Sequence, residues 1–440
     1  MFALLSAFAA TSYIFSVLFY SFFIICAFDK PVIRQLFAHS LRKYLFIIEV
    51  TSSMVTEFSL QIIVINLIWI KMVGFLGGFN YTLTWLLYFV DMLNFGGLGI
   101  LFFEMLKDKS VADETIKSLD NNSKPMASII CLEDAKKLIN PVWTPKHIKV
   151  HSNITYATNE EIREALETTN QDFNQPRKMM LDIFSQESPS ANGAGLRPVL
   201  VHIHGGAWRM GSKNTFYPFQ KLIISENNWI TVNIGYRLAP KNAYPTHLMD
   251  VKRAIRWLKQ NISSFGGDPN FITYAHPFDT VGDSAGAHLA SMASMTANHP
   301  QFQPGFETVD TSVRGVISLS GALDQVNEPH HAVFFCKKVA NLDKVDMDFL
   351  NQHSPLALVP KTKNSVPFLL IAGERDSLTE SKMSKAMKVA FDKASAPNST
   401  CTLILLPAGH HVSYISWSPR SLYVSRVIQT WCTQLYNKNK

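Results

Sequence analysis

The chain has 440 residues, room for two or three domains, and 47% of them are hydrophobic, a high share for a purely soluble protein. Its formal net charge of +7 is collected mostly beside apolar segments. No nucleic-acid motif and no basic stripe with interleaved aromatics accompanies it, so an anionic membrane leaflet suits it better than nucleic acid. The five cysteines, Cys26, Cys131, Cys336, Cys401 and Cys432, show no CxxC or metal-ligand spacing and do not decide the compartment.

Three apolar stretches come first. Residues 1–28 carry no charged side chain, residues 58–78 carry Lys71, and residues 81–106 carry Asp91 and Glu104. Because about 20 apolar residues cross a bilayer core, the first and third read as transmembrane helices and the middle one as a third candidate. A cleaved signal peptide is the competing reading of residues 1–28, but a basic leading region is lacking and the apolar run is too long. Lys30, Arg34, Arg42 and Lys43 crowd the first connection, and Lys107 and Lys109 follow the third stretch. With three spans, the positive-inside rule puts the N-terminus outside and everything after residue 107 in the cytosol; loss of the middle span reverses the latter. Five sequons, at Asn80, Asn121, Asn153, Asn261 and Asn398, argue weakly for the luminal side. An internal membrane such as the endoplasmic reticulum is the expected location.

Residues 107–195 read as a linker and cap-like segment, with a short helical element over 152–173. From residue 196 the grammar changes. Strand-like apolar runs at 198–204, 229–236, 313–321, 366–373 and 402–407 alternate with helical stretches such as 249–262. That alternation predicts an α/β domain over 196–440, a mostly parallel sheet covered by helices on both faces.

Such a sheet presents chemistry at the C-terminal ends of its strands. After the first of these strands comes "HGGAW", where Gly205, Gly206 and Ala207 can turn backbone N–H groups toward one point. "GDSAG" places Ser284 between Gly282 and Gly286 on a sharp strand-to-helix turn, with the N–H of Ala285 joining an oxyanion hole. "GERDSLT" puts Asp376 just past the end of the fourth run, where a helix N-cap is its competing role. "PAGHH" supplies two candidate bases, His410 and His411, that spacing cannot separate. The chain order is Ser, Asp, His, the order of a nucleophile, acid and base on this architecture. His202 and His204 share one strand face, but no third ligand is near them in sequence, so no metal is expected; nor is a cofactor. His330 and His331 read as exposed loop residues.

Together "VLVHIHGGAWRMGS", "NIGYRLAP", "GGDPNFI", "GDSAGAHLA", "QPGFETVDTSVRGVISLSG" and "GERDSL" resemble the α/β-hydrolase fold in its hormone-sensitive-lipase-like esterase group. The likeness covers roughly residues 195–435. It is strongest to the membrane-attached carboxylesterases and lipases of mycobacteria and some eukaryotes, with the plant prenylcysteine methylesterases more distant. It implies Ser284 as nucleophile, Asp376 as acid and Gly205, Gly206 and Ala285 as oxyanion-hole residues. The ungapped run from Pro407 to Ser418-Pro419-Arg420 favours His411 over His410 as base.

The sequence departs from that pattern twice. Ala207 stands where the family usually has a third glycine, and "YAHPFDT" (274–280) interrupts the strand that should lead into Ser284. A proline is unwelcome in a central strand, so the expectation is that these seven residues bulge out ahead of a strand formed by 280–283; the alternative is a displaced nucleophile. The function expected is a membrane-anchored serine esterase acting on a small, lipophilic ester such as a glycerolipid or a prenylcysteine methyl ester. The apolar segment 330–350 is expected as a lid. An arylformamidase-like amide hydrolase is a variant of the same chemistry, and a catalytically silent ligand-binding or scaffold protein is the reading from another class.

Overall fold

The computed structural model describes residues 1–28, 44–121, 126, 132–187, 195–275, 285–362, 365–394 and 400–438. Its N-terminal part is helical: α1 (Phe2–Phe28), α2 (Leu45–Glu57), α3 (Ser59–Phe75) and α4 (Thr82–Leu119). α1 and α4 are long and apolar enough to cross a membrane, while α2 and α3 meet at an 83° bend and make a third span only if the bent pair is taken as one. Polar contacts rather than a transport path explain the buried groups between them. Asp91 of α4 accepts from Tyr13 Oη of α1 and Asn66 Nδ2 of α3, both at 3.1 Å, and Ser21 Oγ donates to Asn94 Oδ1 at 3.0 Å.

At 1.5 Å rise per residue, the 38 residues of α4 extend about 57 Å, well beyond a hydrocarbon core of about 30 Å. Residues 107–119, expected as linker, continue this helix. Ala112 and Ile116 lie in one apolar cluster with Val427, Ile428 and Trp431 of the last helix.

The remainder forms one eight-stranded sheet in the order β1-β2-β4-β3-β5-β6-β7-β8. Its strands are β1 (Ile148–Thr155), β2 (Met180–Gln186), β3 (Arg197–Ile203), β4 (Ile230–Ile234), β5 (Gly267–Ala275), β6 (Val316–Leu319), β7 (Phe368–Gly373) and β8 (Cys401–Leu406). β2 runs antiparallel to β1 and β4, and from β4 to β8 every pairing is parallel. The five runs read from the sequence became β3, β4, β6, β7 and β8. β1 and β2 were missed inside the expected linker, because strand edges with mixed polar residues lack the continuous apolar run of a strand buried on both faces. The sheet therefore begins at residue 148 rather than 196, and the helix within the expected 152–173 element is confined to α5 (Asn159–Glu167), closed by a Thr158–Glu161 capping box.

The strands bury both faces. In β3, Val199, Val201 and Ile203 pack with α7 (Thr246–Asn261) and α8 (Ala285–Met295), after α6 (Pro218–Asn227) on the opposite face. Leu200 joins α6 and α10 (Pro419–Lys438) on that opposite face, while α9 (Ser381–Ala394) adds Met383, Met387 and Phe391 to the first. Each such fully buried aliphatic contributes about 1.5–3 kcal/mol, so this sandwich holds the strand ends rigidly.

β5 corrects the expectation about the inserted segment. Tyr274 pairs with Val201 and Val316, and Ala275 with His202 and Ile317, so both lie in the sheet rather than in a bulge ahead of it. The β-prone run through 271–274 continues the strand to Ala275. Residues 276–284, which include Pro277 and Ser284, lie outside the described residues.

Candidate active site

Two loops at neighbouring strand ends are laced together. The N–H of Glu374 donates to the Leu406 carbonyl and that of Arg375 to the Gly409 carbonyl, both at 2.9 Å. A Cβ on Gly373 would stand 2.2 Å from the Gly409 oxygen, so only glycine allows this approach. The lacing sets Asp376, after β7, against His411, after β8. His411 Nδ1 lies 2.7 Å from Asp376 Oδ2, with both side chains fully buried.

Asp376 also takes the local role it was weighed against. Its Oδ1 accepts from the N–H groups of Leu378 and Thr379 at 2.9 and 2.8 Å, which leaves Oδ2 for His411 and for the Thr379 hydroxyl at 2.8 Å. The turn thus orients the carboxylate. A carboxylate can only accept, so His411 carries its proton on Nδ1 and presents Nε2 as the basic nitrogen.

His410 is directed elsewhere. Its Nε2 faces the Ala27 carbonyl at 3.2 Å and its Nδ1 faces Glu49 Oε1 at 3.3 Å. The geometry therefore pairs His411, and not His410, with Asp376. Glu374 pairs with Lys385 at 3.3 Å.

The loop after β3 is built on strained backbone. Gly206 has φ +106°, with the Met210 carbonyl oxygen where a Cβ would sit, and Ala207 and Trp208 are left-handed at +51° and +58°. Two L-residues in that region cost about 1–2 kcal/mol each, which is why a third glycine would be at home at position 207. Trp208 holds the strain in place: its carbonyl accepts from Ala239 N and His247 Nε2, both at 3.0 Å, and its indole N–H donates to His288 Nδ1 at 3.3 Å. Tyr236 Oη donates to the His204 carbonyl at 2.7 Å, and His204 Nδ1 lies 2.8 Å from the Gly205 carbonyl. Because N–H and C=O point oppositely across a trans peptide, the N–H groups of Gly205 and Gly206 face away from Tyr236 and His204. Ala285, buried, opens α8. Ser284 immediately before it lies outside the described residues.

Burial makes the surrounding histidines poor bases. His204 and His247 are pushed down to about 4 and His288 to about 3, each chiefly by desolvation of the charged form. His288 Nε2 donates to the His353 carbonyl at 2.8 Å, which fixes Nδ1 as the acceptor for Trp208. His202 packs edge-on to Tyr217 and His204 stacks on Tyr236 at 4.2 Å. His331 is half-buried on the helix Pro329–Phe334, not in an exposed loop, and its Nε2 reaches the Leu378 carbonyl at 2.9 Å; His330 on the same helix is exposed.

The segment expected as a lid is a packed wall. Phe335 lies 5.0 Å from Trp208 and 4.9 Å from Tyr244, so residues 329–339 wedge between the loop after β3 and the loop carrying Asp376. Sequence reasoning missed Trp208, His288 and Thr379 as supports. Each lay in a motif already singled out, but only packing reveals what it touches.

A sheet of this order, with an aspartate after β7 bonded to a histidine after β8, defines an α/β-hydrolase. Residues 181–391 match the family described as BD-FAE. Esterase LipQ of Mycobacterium tuberculosis is 32% identical over 279 residues, 60% of this chain and 61% of LipQ. The probable carboxylic ester hydrolase LipM of the same organism is 32% identical over 262 residues, 58% of each chain. The chain thus spans less than two thirds of the length of these relatives. Esterase B of Lactobacillus rhamnosis shares the fold, with a TM-score of 0.52 at 18% identity over 76% of this chain and 98% of that one. Over this part the chain is similar to curated esterases, the likeness that the motifs implied.

Proposed function

We propose that the protein is a membrane-anchored serine esterase in which Ser284 attacks a carboxylic ester, His411 relays the proton and Asp376 orients and stabilises the imidazolium. The single observation that carries this reading is the buried His411–Asp376 pair at 2.7 Å, at the ends of β7 and β8. Ser284 sits one residue ahead of that helix. The N–H groups of Gly205, Gly206 and Ala285 stabilise the tetrahedral oxyanion, whose collapse leaves the acyl group on Ser284 Oγ as the alcohol departs with the proton from His411. Water activated by His411 then releases the acid and restores the serine. The esterase relatives support the reaction class.

The helices α1 and α4 support residence in a bilayer, with α2–α3 as a further span, the hydrolase on the cytosolic side by the positive-inside pattern, and an internal membrane as the site. An anchored hydrolase meets esters that partition into the bilayer. The apolar wall at Phe335 supports an acyl or prenyl group beside the oxyanion loop, as in a glycerolipid or a prenylcysteine methyl ester. The functional division follows: residues 1–106 anchor, and the sheet and its helices from residue 148 catalyse.

The second reading is a hydrolase fold that binds without turnover. It draws on β5, which runs to Ala275 and leaves nine residues before α8 where a nucleophile turn ordinarily needs fewer. A fluorophosphonate probe applied to membranes decides between the two. Labelling of the parent, lost in Ser284→Ala, is expected. A dark parent beside a labelled variant lacking residues 274–280 would mean that the insertion has disabled the turn. Hydrolysis of esters of graded chain length, a prenylcysteine methyl ester and an N-formyl aryl amide then sorts the substrate classes.

A further inference from the structure

We propose that Glu49, on the helix α2 of the N-terminal region, is a positioning residue for the catalytic base. The inference rests on the esterase reading above. Glu49 is 5% exposed and lies between the two loops that carry the acid and the base. Its Oε1 accepts from the backbone N–H of His411 itself at 3.0 Å and faces His410 Nδ1 at 3.3 Å, and its Oε2 accepts from the hydroxyl of Ser377, the residue after Asp376. One carboxylate thus grips the base's own peptide, its neighbour, and the neighbour of the acid.

A buried carboxylate is expensive unless several donors converge on it, and a leucine would fill the same space more cheaply. Holding the helices to the hydrolase does not require Glu49, because a separate cluster does that: Arg420 of α10 binds Glu57 of α2, and its Nε lies 2.5 Å from Asp108 of α4. That cluster does not touch the peptide of the base. Glu49 instead receives both the backbone N–H of His411 and the hydroxyl of Ser377, the residue next to Asp376. His411 must keep Nε2 in line with the serine while its Nδ1 stays on Asp376, and a displacement of about 1 Å in such a group can lower the rate about 100-fold.

The test separates positioning from folding by counting sites. Full-length protein in detergent is titrated to completion with a fluorophosphonate, and turnover of a short p-nitrophenyl ester is expressed per titrated site. Glu49→Ala is expected to lower kcat per site about tenfold at an unchanged KM. Glu49→Gln, which keeps an acceptor for the His411 N–H but faces Ser377 and His410 with a donor as well, is expected to fall about threefold. A purely structural role lowers the number of titratable sites and leaves turnover per site at the wild-type value, and that result overturns the proposal. If Glu49→Ala does not accumulate, the per-site kcat of Glu49→Gln decides: a threefold loss supports the proposal and an unchanged value overturns it. A wild-type chain without hydrolysis that Ser284→Ala removes would instead overturn the esterase reading.

Discussion

His410 and His411 are neighbours of one residue type in one loop, and their partners make them chemically different. His411 has a carboxylate on Nδ1, which sets its tautomer and, in the proposed reaction, would stabilise its cation. His410 spends both ring nitrogens on the helical region. His411→Gln is therefore expected to lower ester turnover by at least about a thousandfold, whereas His410→Gln should stay within about tenfold of wild type. Steady-state kcat/KM for a p-nitrophenyl ester measures both, and equal losses would contradict the assignment. The motif order already pointed to a histidine after the last strand. The run to Ser418-Pro419-Arg420 favoured His411 by resemblance, but the contacts that separate the two are not local: Asp376 Oδ2 and Glu49 Oε1 lie 35 and 362 residues away.

At the scale of elements, the loop after β3, α7 and α8 are joined through neutral histidines. Trp208 of the loop binds His247 of α7 and His288 of α8, so one residue ties the loop after β3 to both helices. The pH consequence has a definite sign. His288 is held down to about 3, and His204, His247 and His353 to about 4, below the usual 6.5. The unfolded chain therefore binds protons that the folded chain refuses, and stability is full above about pH 6.5 and falls as the pH drops toward 4. Each such histidine costs about 2 kcal/mol at pH 5. The thermal midpoint should drop between pH 7 and pH 5, and His288→Gln should show a smaller drop than wild type over that interval; an identical drop would remove His288 from the account. The elements themselves were largely legible, since β3, β4, β6, β7 and β8 are continuous apolar runs. β1 and β2 were not, because their character comes from pairing rather than from pattern.

Across the whole molecule, the decisive feature is the seam between the N-terminal helices and the sheet with its covering helices. α4 passes directly from the apolar region onto α10, and the seam buries Arg420 with Glu57 and Asp108 and pairs Arg375 with Glu104 at 2.8 Å. A cation removed from such a cluster leaves two buried carboxylates unpaired. Arg420→Ala is expected to cost about 3–5 kcal/mol, while replacing Arg420, Glu57 and Asp108 together by apolar residues should be far milder. Thermal unfolding of the full chain in detergent distinguishes the two, and equal losses would mean that the cluster serves packing alone.

From the sequence by itself came the α/β class, the apolar N-terminal segments, and the order of the candidate residues at Gly205, Gly206, Ser284, Ala285, Asp376 and the histidine pair. These are carried by short-range regularities: continuous apolar runs, glycines at strand ends and chain order. The tertiary structure decided that His411 rather than His410 meets Asp376, that β5 runs through Tyr274 and Ala275, that 329–339 is a wall, and that Glu49 reaches the His411 peptide. Each of those depends on which distant groups share a buried volume, and burial, through desolvation and hydrogen bonding, sets what a side chain can do.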